Sequence, residues 1–398
     1  MKYLVLLGDG MADWPLEELE GKTPLEAAST PWMDLLAQRG QLGRTITVPE
    51  GMPPDSSIAN MSLFGYDPRR FYPGRGPLEA AALGIPMEEG DVAFRCNLVT
   101  LSEDGEVLLD YSAGHISSEE ARGLFSYLQE RLGDRKYEFF SGVGFRGLLV
   151  VRRLGAVPET TPPHDIMGQG IRPHLPKGRG AEGILELMEK AKELLKGHPL
   201  NRERARRGLN PANGIWPWGG GLKPKLQPFK DRFGLQGAVV AGVDLIRGIG
   251  ALLGLKVIRV PGATGFIDTD YRAKAEAGLR ALEEVDFLYL HVEAPDEASH
   301  MGSLEEKIRA IERFDAEVVG RVYKGLEEKG EPFRILVATD HPTPLGLRTH
   351  VRGEVPFVLY DSTRTVDSGA RGFCEPEAQK GVFLEDATEL TLKLLGRA

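Results

Sequence analysis

From residue 237 onward the chain alternates short apolar runs with amphipathic stretches, a pattern that few folds accommodate. Residues 237–241, 256–260, 287–291, 334–339 and 355–360 are short and largely apolar. Between them, residues 244–253, 271–282 and 304–329 carry apolar side chains at helical spacing, and a last helix starts near residue 385. A strand that is apolar along its whole length has both faces covered. This region therefore predicts a mostly parallel sheet with helices wound on both sides. The start of the chain supplies one more strand, residues 3–7, which stops at Gly8-Asp9-Gly10. A helix over residues 30–40 follows, opened by Thr30-Pro31 and closed by Gly40.

The middle of the chain has a different texture. Residues 92–101, 106–111, 137–142 and 147–153 read as an antiparallel meander, with helices over 117–132 and 181–195. Stretches rich in Pro, Gly and His, residues 160–180 and 209–228, read as loops. The expectation is an α/β core of residues 1–90 and 225–398, with a smaller α+β domain, 91–224, inserted into it. A length of 398 residues suits two such domains.

Composition removes several classes of function. With 41% hydrophobic residues the chain has ample material for a core, which excludes disorder. The most apolar stretch, residues 237–260, contains Asp244 and Arg247, so a membrane span is not expected. The apolar run after Lys2 is too short for a signal-peptide core. Two cysteines, Cys96 and Cys374, make neither a disulfide framework nor a zinc pattern, which fits a reducing cytoplasm. A net charge of −9 argues against a nucleic-acid partner. Against that background the run Asn201-Arg202-Glu203-Arg204-Ala205-Arg206-Arg207 is locally basic. It reads either as a solvated helix face or as a site for a phosphorylated or carboxylated anion. The oligomeric state is left open.

The chemistry concentrates at the ends of the predicted core strands, where open α/β sheets place their ligands. Asp9 follows the first strand. Asp296 and His300 follow the strand ending at His291 and share one face of a helix through their spacing of four. Asp340 and His341 follow residues 335–338, and His350 precedes residues 355–360. Carboxylate oxygens and imidazole nitrogens in such a set suit Mn²⁺, Zn²⁺ and similar divalent ions. Each residue taken singly has an ordinary reading as a turn, a cap or a surface pair. Three of the chain's eight histidines converging with three aspartates on one sheet edge do not. A hydroxyl nucleophile belongs at a helix tip beside such ions. Pro53-Pro54-Asp55 is a loop and Ser56 opens a predicted helix, although Asp55 or Ser56 reads as well as a simple N-cap. Ser57 and Ser62 also fit the spacing.

Longer strings sharpen the picture. Residues 53–68 (Pro-Pro-Asp-Ser-Ser-Ile-Ala-Asn-Met-Ser-Leu-Phe-Gly-Tyr-Asp-Pro), Gly74-Arg75-Gly76-Pro77-Leu78-Glu79-Ala80 and Ala294-Pro295-Asp296-Glu297-Ala298-Ser299-His300 are distinctive. With Arg348-Thr349-His350, Val355-Pro356-Phe357 and Pro211-Ala212-Asn213, they resemble the archaeal-type cofactor-independent phosphoglycerate mutases, metalloenzymes of the alkaline phosphatase superfamily. The likeness runs from residue 1 to about 395. It implies an alkaline-phosphatase-like three-layer core and two divalent ions, Mn²⁺ foremost, with Zn²⁺ or Co²⁺ suited by the same ligands. Asp296, His300 and His350 would hold one ion. Asp9, Asp340, His341 and the nucleophile would hold the other. In the wider family the nucleophilic serine precedes Glu-Val-Gly-His. Here Ser56 precedes Ser57-Ile58-Ala59-Asn60, and the comparison points to Ser56.

The resemblance also implies 3- to 2-phosphoglycerate exchange through a phosphoserine, without bisphosphoglycerate, in glycolysis and gluconeogenesis. The inserted domain would then act as a lid that excludes water and binds substrate. His115, Arg146, His164, Arg202 and Arg204 are its candidate substrate-binding groups and Asp165 its candidate acid–base group, while Arg75, on the core side, is a candidate for reaching the phosphate. A metal-dependent phosphomonoesterase, a phosphotransferase acting on a hydroxyl such as that of homoserine, and a metal-binding protein without catalysis are the competing expectations. The first of these would use the same core residues.

Overall fold

The computed structural model describes residues 1–397. Its strands, in chain order, are β1 (Lys2–Gly8), β2 (Gln41–Ile46), β3 (Val92–Leu101), β4 (Leu108–Asp110), β5 (Tyr137–Ser141), β6 (Arg146–Val151), β7 (Gly214–Leu222), β8 (Gly237–Val240), β9 (Lys256–Ile258), β10 (Phe287–Val292), β11 (Phe333–Ala338), β12 (Glu354–Asp361) and β13 (Val382–Leu384). The chain divides into two compact units: residues 1–72 with 226 onward, and Pro73–Lys225.

The larger unit is a mixed α/β fold around an eight-stranded sheet of order β13-β2-β12-β11-β1-β10-β8-β9. β12 runs antiparallel to both its neighbours, β11 and β2, and the other pairings are parallel. Side chains alternate between faces along each strand. Leu4 and Leu6 of β1, with Leu288 and Leu290 of β10, join a core that includes Leu36, Tyr271, Ile311, Phe314 and Val322 from helical segments. The alternate residues of β10 face the other way. There Tyr289 stacks on Phe64, ring centroids 3.8 Å apart, and donates its hydroxyl to Asn60 Oδ1 at 2.6 Å. Every residue of β1 from Leu4 on and of β10 is buried, as expected for central strands covered on both sides. β1 thus lies between β10 and β11, and the ends of all three strands carry the candidate ligands.

The smaller unit is an antiparallel five-stranded sheet in which β3 pairs with β4, β6 and β7, and β6 with β5. The helices Ser118–Leu132 and Ala181–Lys196 bury Leu124, Phe125, Leu128, Ile184, Leu187 and Ala191 against it. Among the described residues, no helix is long and apolar enough to cross a membrane.

Two sequence expectations need correction here. The unit boundary falls at residue 73, not near 90, because the helix Arg75–Ala82 lies directly on β3. A Cβ at Gly76 would sit 2.0 Å from the carbonyl oxygen of Ala93, so only glycine permits that approach. Residues 209–228 are not simply a loop, because β7 runs through them and buries Trp216 and Trp218. Its Pro217 and run of three glycines hid it. Gly221 is needed there, since a Cβ would meet the carbonyl oxygen of Pro73 at 1.6 Å.

Candidate active site

All seven residues expected to hold metal ions lie in the larger unit, and the sheet gathers them at one edge. Asp9 follows β1, Asp296 and His300 sit on the helix Ala294–Met301 after β10, and Asp340 and His341 follow β11. Gly10, at φ +63°, lets the turn after β1 press against Asp296, whose Oδ1 would be 2.5 Å from a Cβ there. Its amide donates to Asp340 Oδ1 at 3.1 Å.

Two groups of donor atoms result. In the first, His300 Nε2 lies 3.0 Å and His350 Nε2 3.4 Å from Asp296 Oδ2, and the two ring nitrogens are 3.0 Å apart. In the second, His341 Nε2 is the hub. It lies 3.0 Å from Ser56 Oγ, 3.4 Å from Asp340 Oδ2 and 3.7 Å from Asp9 Oδ1. Asp296 with His300 and His350, Asp9 with Asp296 and His341, and Asp9 with His291 and Asp340 each form a cluster compact enough to hold a cation.

Hydrogen bonding dictates which ring nitrogen each neutral histidine presents. His300 Nδ1 lies 2.9 Å from the Arg348 carbonyl oxygen and His350 Nδ1 lies 3.1 Å from that of Pro54. A carbonyl only accepts, so both Nδ1 atoms carry a proton, and each ring in its neutral form presents an Nε2 lone pair to the cluster. His341 Nδ1 meets Thr343 Oγ1 at 3.1 Å, and that hydroxyl donates to Asp296 Oδ1 at 2.6 Å. Its one proton is spent, so it must accept from Nδ1–H. His341 Nε2 is therefore a lone pair as well, free to accept from Ser56 or to ligate a metal.

Charge is unevenly distributed. Burial, then the neighbouring Asp340, Glu293 and Asp296, push the Asp9 carboxyl well above its ordinary range. Burial also raises Glu293, to about 8, with Asp296 adding to the effect. Burial alone would raise Asp296, but hydrogen bonds from His300 and His350 outweigh it and hold this carboxylate well below the usual value. The hydrogen bond to Asp296 in turn lifts His300 to about 9. Burial drives His341 down. Several carboxylates converging in a dry site, with Asp9 Oδ1 buried and without a hydrogen bond, fit a divalent cation.

The helix Ser56–Leu63 presents the hydroxyl. Asp55 caps it, accepting from the Ser57 amide at 2.8 Å, and Ser56 occupies its first turn. Ser57 Oγ is turned away onto Asp55 and Tyr72, and Ser62 Oγ lies back against the Ile58 carbonyl. Ser56 alone of the three serines meets the histidine hub. Sequence reasoning missed three supporting residues. Asn60 donates to Asp340 Oδ2 at 3.0 Å and Thr343 bridges the two clusters. His291, at the end of an apolar strand, sits 2.9 Å from Asp9 Oδ2.

The remaining candidates belong to the smaller unit. His164 packs edge-on against Trp218 and Tyr111, and Arg75 lies over the same Trp218 ring. Tyr111 meets Phe145, which also carries His115 at its edge and Arg146 over its face. Four candidates thus ring one aromatic surface. Asp165 pairs with His164 at 3.5 Å, and both are exposed. The basic run behaves otherwise. Arg204 is buried, with its guanidinium committed to Glu120 and to the carbonyls of Asn210 and Ala113. Arg202 turns back onto the Gly197 carbonyl. The expectation that Arg204 binds substrate is corrected, because its donors close the fold internally.

Comparison with known proteins places this geometry in context. A family model described as 2,3-bisphosphoglycerate-independent phosphoglycerate mutase matches residues 37–201. A protein of Geobacter sulfurreducens, named a probable 2,3-bisphosphoglycerate-independent phosphoglycerate mutase, is 52% identical over all of both chains. The corresponding Methanosarcina barkeri protein is 49% identical over 96% of each. Among solved structures, a Pyrococcus horikoshii protein superposes with a TM-score of 0.84 at 29% identity, over 100% of this chain and 98% of the other. A cofactor-independent phosphoglycerate mutase from Thermoplasma acidophilum gives 0.69 at 29% identity, over 100% of both.

Proposed function

The chain belongs to the 2,3-bisphosphoglycerate-independent phosphoglycerate mutases, and from that premise we propose that it interconverts 3-phosphoglycerate and 2-phosphoglycerate through a phosphoserine on Ser56. The observation that carries this reading is Ser56 Oγ lying 3.0 Å from the lone pair of His341 Nε2, beside two carboxylates.

Asp296, His300 and His350 would hold one divalent ion, and Asp9, Asp340, His341 and Ser56 a second, with Mn²⁺ the preferred metal. Such ions supply Lewis-acid polarisation of the phosphoryl group and lower the pKa of a ligating hydroxyl. Ser56 Oγ attacks phosphorus and the bond to the glycerate 3-oxygen breaks, that oxygen taking up a proton. Glycerate then turns, its 2-hydroxyl loses a proton and attacks the phosphoserine, and Ser56 is released. The carboxylate of the substrate calls for cationic recognition, the role proposed for Arg75 and Arg146, with His164 and His115 beside them. Asp165, beside His164, is the group proposed to exchange protons with the glycerate hydroxyls. No bisphosphoglycerate is needed, and the cytoplasm is the compartment where this substrate is met.

The test is an assay with 3-phosphoglycerate and Mn²⁺, without bisphosphoglycerate, following 2-phosphoglycerate and free phosphate together. The expected result is 2-phosphoglycerate without phosphate release, abolished by chelation. Stoichiometric release of phosphate would replace the mutase reading with a hydrolase built on the same residues.

A further inference from the structure

We propose that His291 is a positioning residue that aims Asp9 at the ion held with Ser56, Asp340 and His341. The inference rests on the two-ion reading above. Asp9 has two oxygens with different fates. Oδ1 faces the His341 hub at 3.7 Å and makes no hydrogen bond. Oδ2 points away from it, to His291 Nε2 at 2.9 Å. Once Asp9 is ionised its oxygens only accept, so His291 then donates from Nε2 and, although Asp9, His291 and Asp340 also form a compact donor group, that nitrogen keeps no lone pair for a metal.

The sheet makes this arrangement rigid. His291 is on β10 in parallel register with Leu7 of β1, two residues before Asp9, and the Asp9 amide donates to the Val292 carbonyl at 2.9 Å. Both side chains are fully buried. Nδ1 of His291 makes no hydrogen bond and lies 3.7 Å from Glu293 Oε2, so the bond to Asp9 is the ring's one hydrogen bond among the described residues. A buried imidazole on a central strand is costly unless its hydrogen bond matters, and a hydrogen-bonded partner is what fixes the orientation of a ligating carboxylate.

The experiment compares His291→Leu, similar in bulk but without a donor, with His291→Gln, whose amide nitrogen stands near the position of Nε2. Metal-stripped protein is titrated with Mn²⁺ alone, and binding at each of two sites is read together with thermal unfolding and turnover. Loss of the donor is expected to weaken one Mn²⁺ site roughly 10- to 100-fold and leave the other unchanged. Glutamine should restore most of that loss. If the leucine variant folds and binds both ions as the parent does, the inference is overturned. It is equally overturned if a folded glutamine variant binds as poorly as leucine, and this arm stands alone should the leucine variant not fold. Parent protein that binds fewer than two Mn²⁺ overturns the two-ion reading itself, a result distinct from either variant outcome.

Discussion

At the scale of single residues, the candidate site was legible wherever a polar side chain stood just beyond an apolar run. Asp9, Asp340 and His341 each pass singly for turn residues and announce themselves only together, at the ends of successive apolar runs. His291 did not, because the last position of a strand reads as core. Thr343 and Asn60 act through hydrogen bonds that only the fold creates. Serine identity is testable at this scale. Ser56→Ala should lower turnover by at least about 1000-fold while both metal groups still bind, whereas Ser57→Ala should keep substantial activity. A Ser56→Ala variant with near-parent turnover would move the nucleophile elsewhere.

His300 makes a second prediction with a definite sign. Its proton is held up to about 9 because Asp296 accepts from the charged ring. An ion uses the same Nε2, so proton and metal compete. From neutral pH upward, Mn²⁺ affinity at this site should rise by up to about tenfold per pH unit, levelling above the His300 value. The same pair stabilises the metal-free protein below the ordinary histidine value, and this contribution fades as pH climbs through about 9. Calorimetric titration at several pH values checks both the slope and the proton release. An affinity independent of pH would contradict the arrangement.

Among the elements, strands of branched and aliphatic residues were read correctly, and those built from small residues were not. β10 is Phe-Leu-Tyr-Leu-His-Val and stands out in any window, while β7 is Gly-Ile-Trp-Pro-Trp-Gly-Gly-Gly-Leu and imitates a loop. Its glycines answer to tertiary crowding, which no local pattern encodes. The helix Pro199–Arg206 shows how a basic run divides between roles, since Arg204 is buried within the fold while Arg202 and Arg206 stay exposed. Arg204 ties this helix to Glu120 at 2.7 Å and to two loop carbonyls. Arg204→Ala should therefore cost about 3 kcal/mol of stability in urea unfolding, with the KM for phosphoglycerate unchanged in protein that remains folded. A raised KM at unaltered stability would return Arg204 to the substrate site.

On the level of the whole molecule, two units with separate hydrophobic cores share the chain, and every candidate metal ligand belongs to the larger one. Ligands that bind only folded protein stabilise it by mass action, by about 2.7 kcal/mol at a hundredfold excess over Kd. Scanning calorimetry should accordingly show Mn²⁺ raising the transition of the larger unit and leaving that of the smaller nearly unchanged. A single transition that shifts as a whole would mean that the two units unfold together.

The place of β1 in the sheet has a consequence for synthesis. This strand leaves the ribosome well before its two neighbours, β10 and β11, which are more than 270 residues downstream. At roughly 5–20 residues per second, β1 waits on the order of tens of seconds for a partner, and the whole smaller unit emerges meanwhile. Pro73–Lys225 holds every strand of its own sheet, so it can close while the strand destined for the centre of the larger sheet remains unpaired and apolar. The nascent chain is therefore exposed to aggregation through β1, and holding this strand in a chaperone until residue 338 is out would protect the centre of the larger sheet.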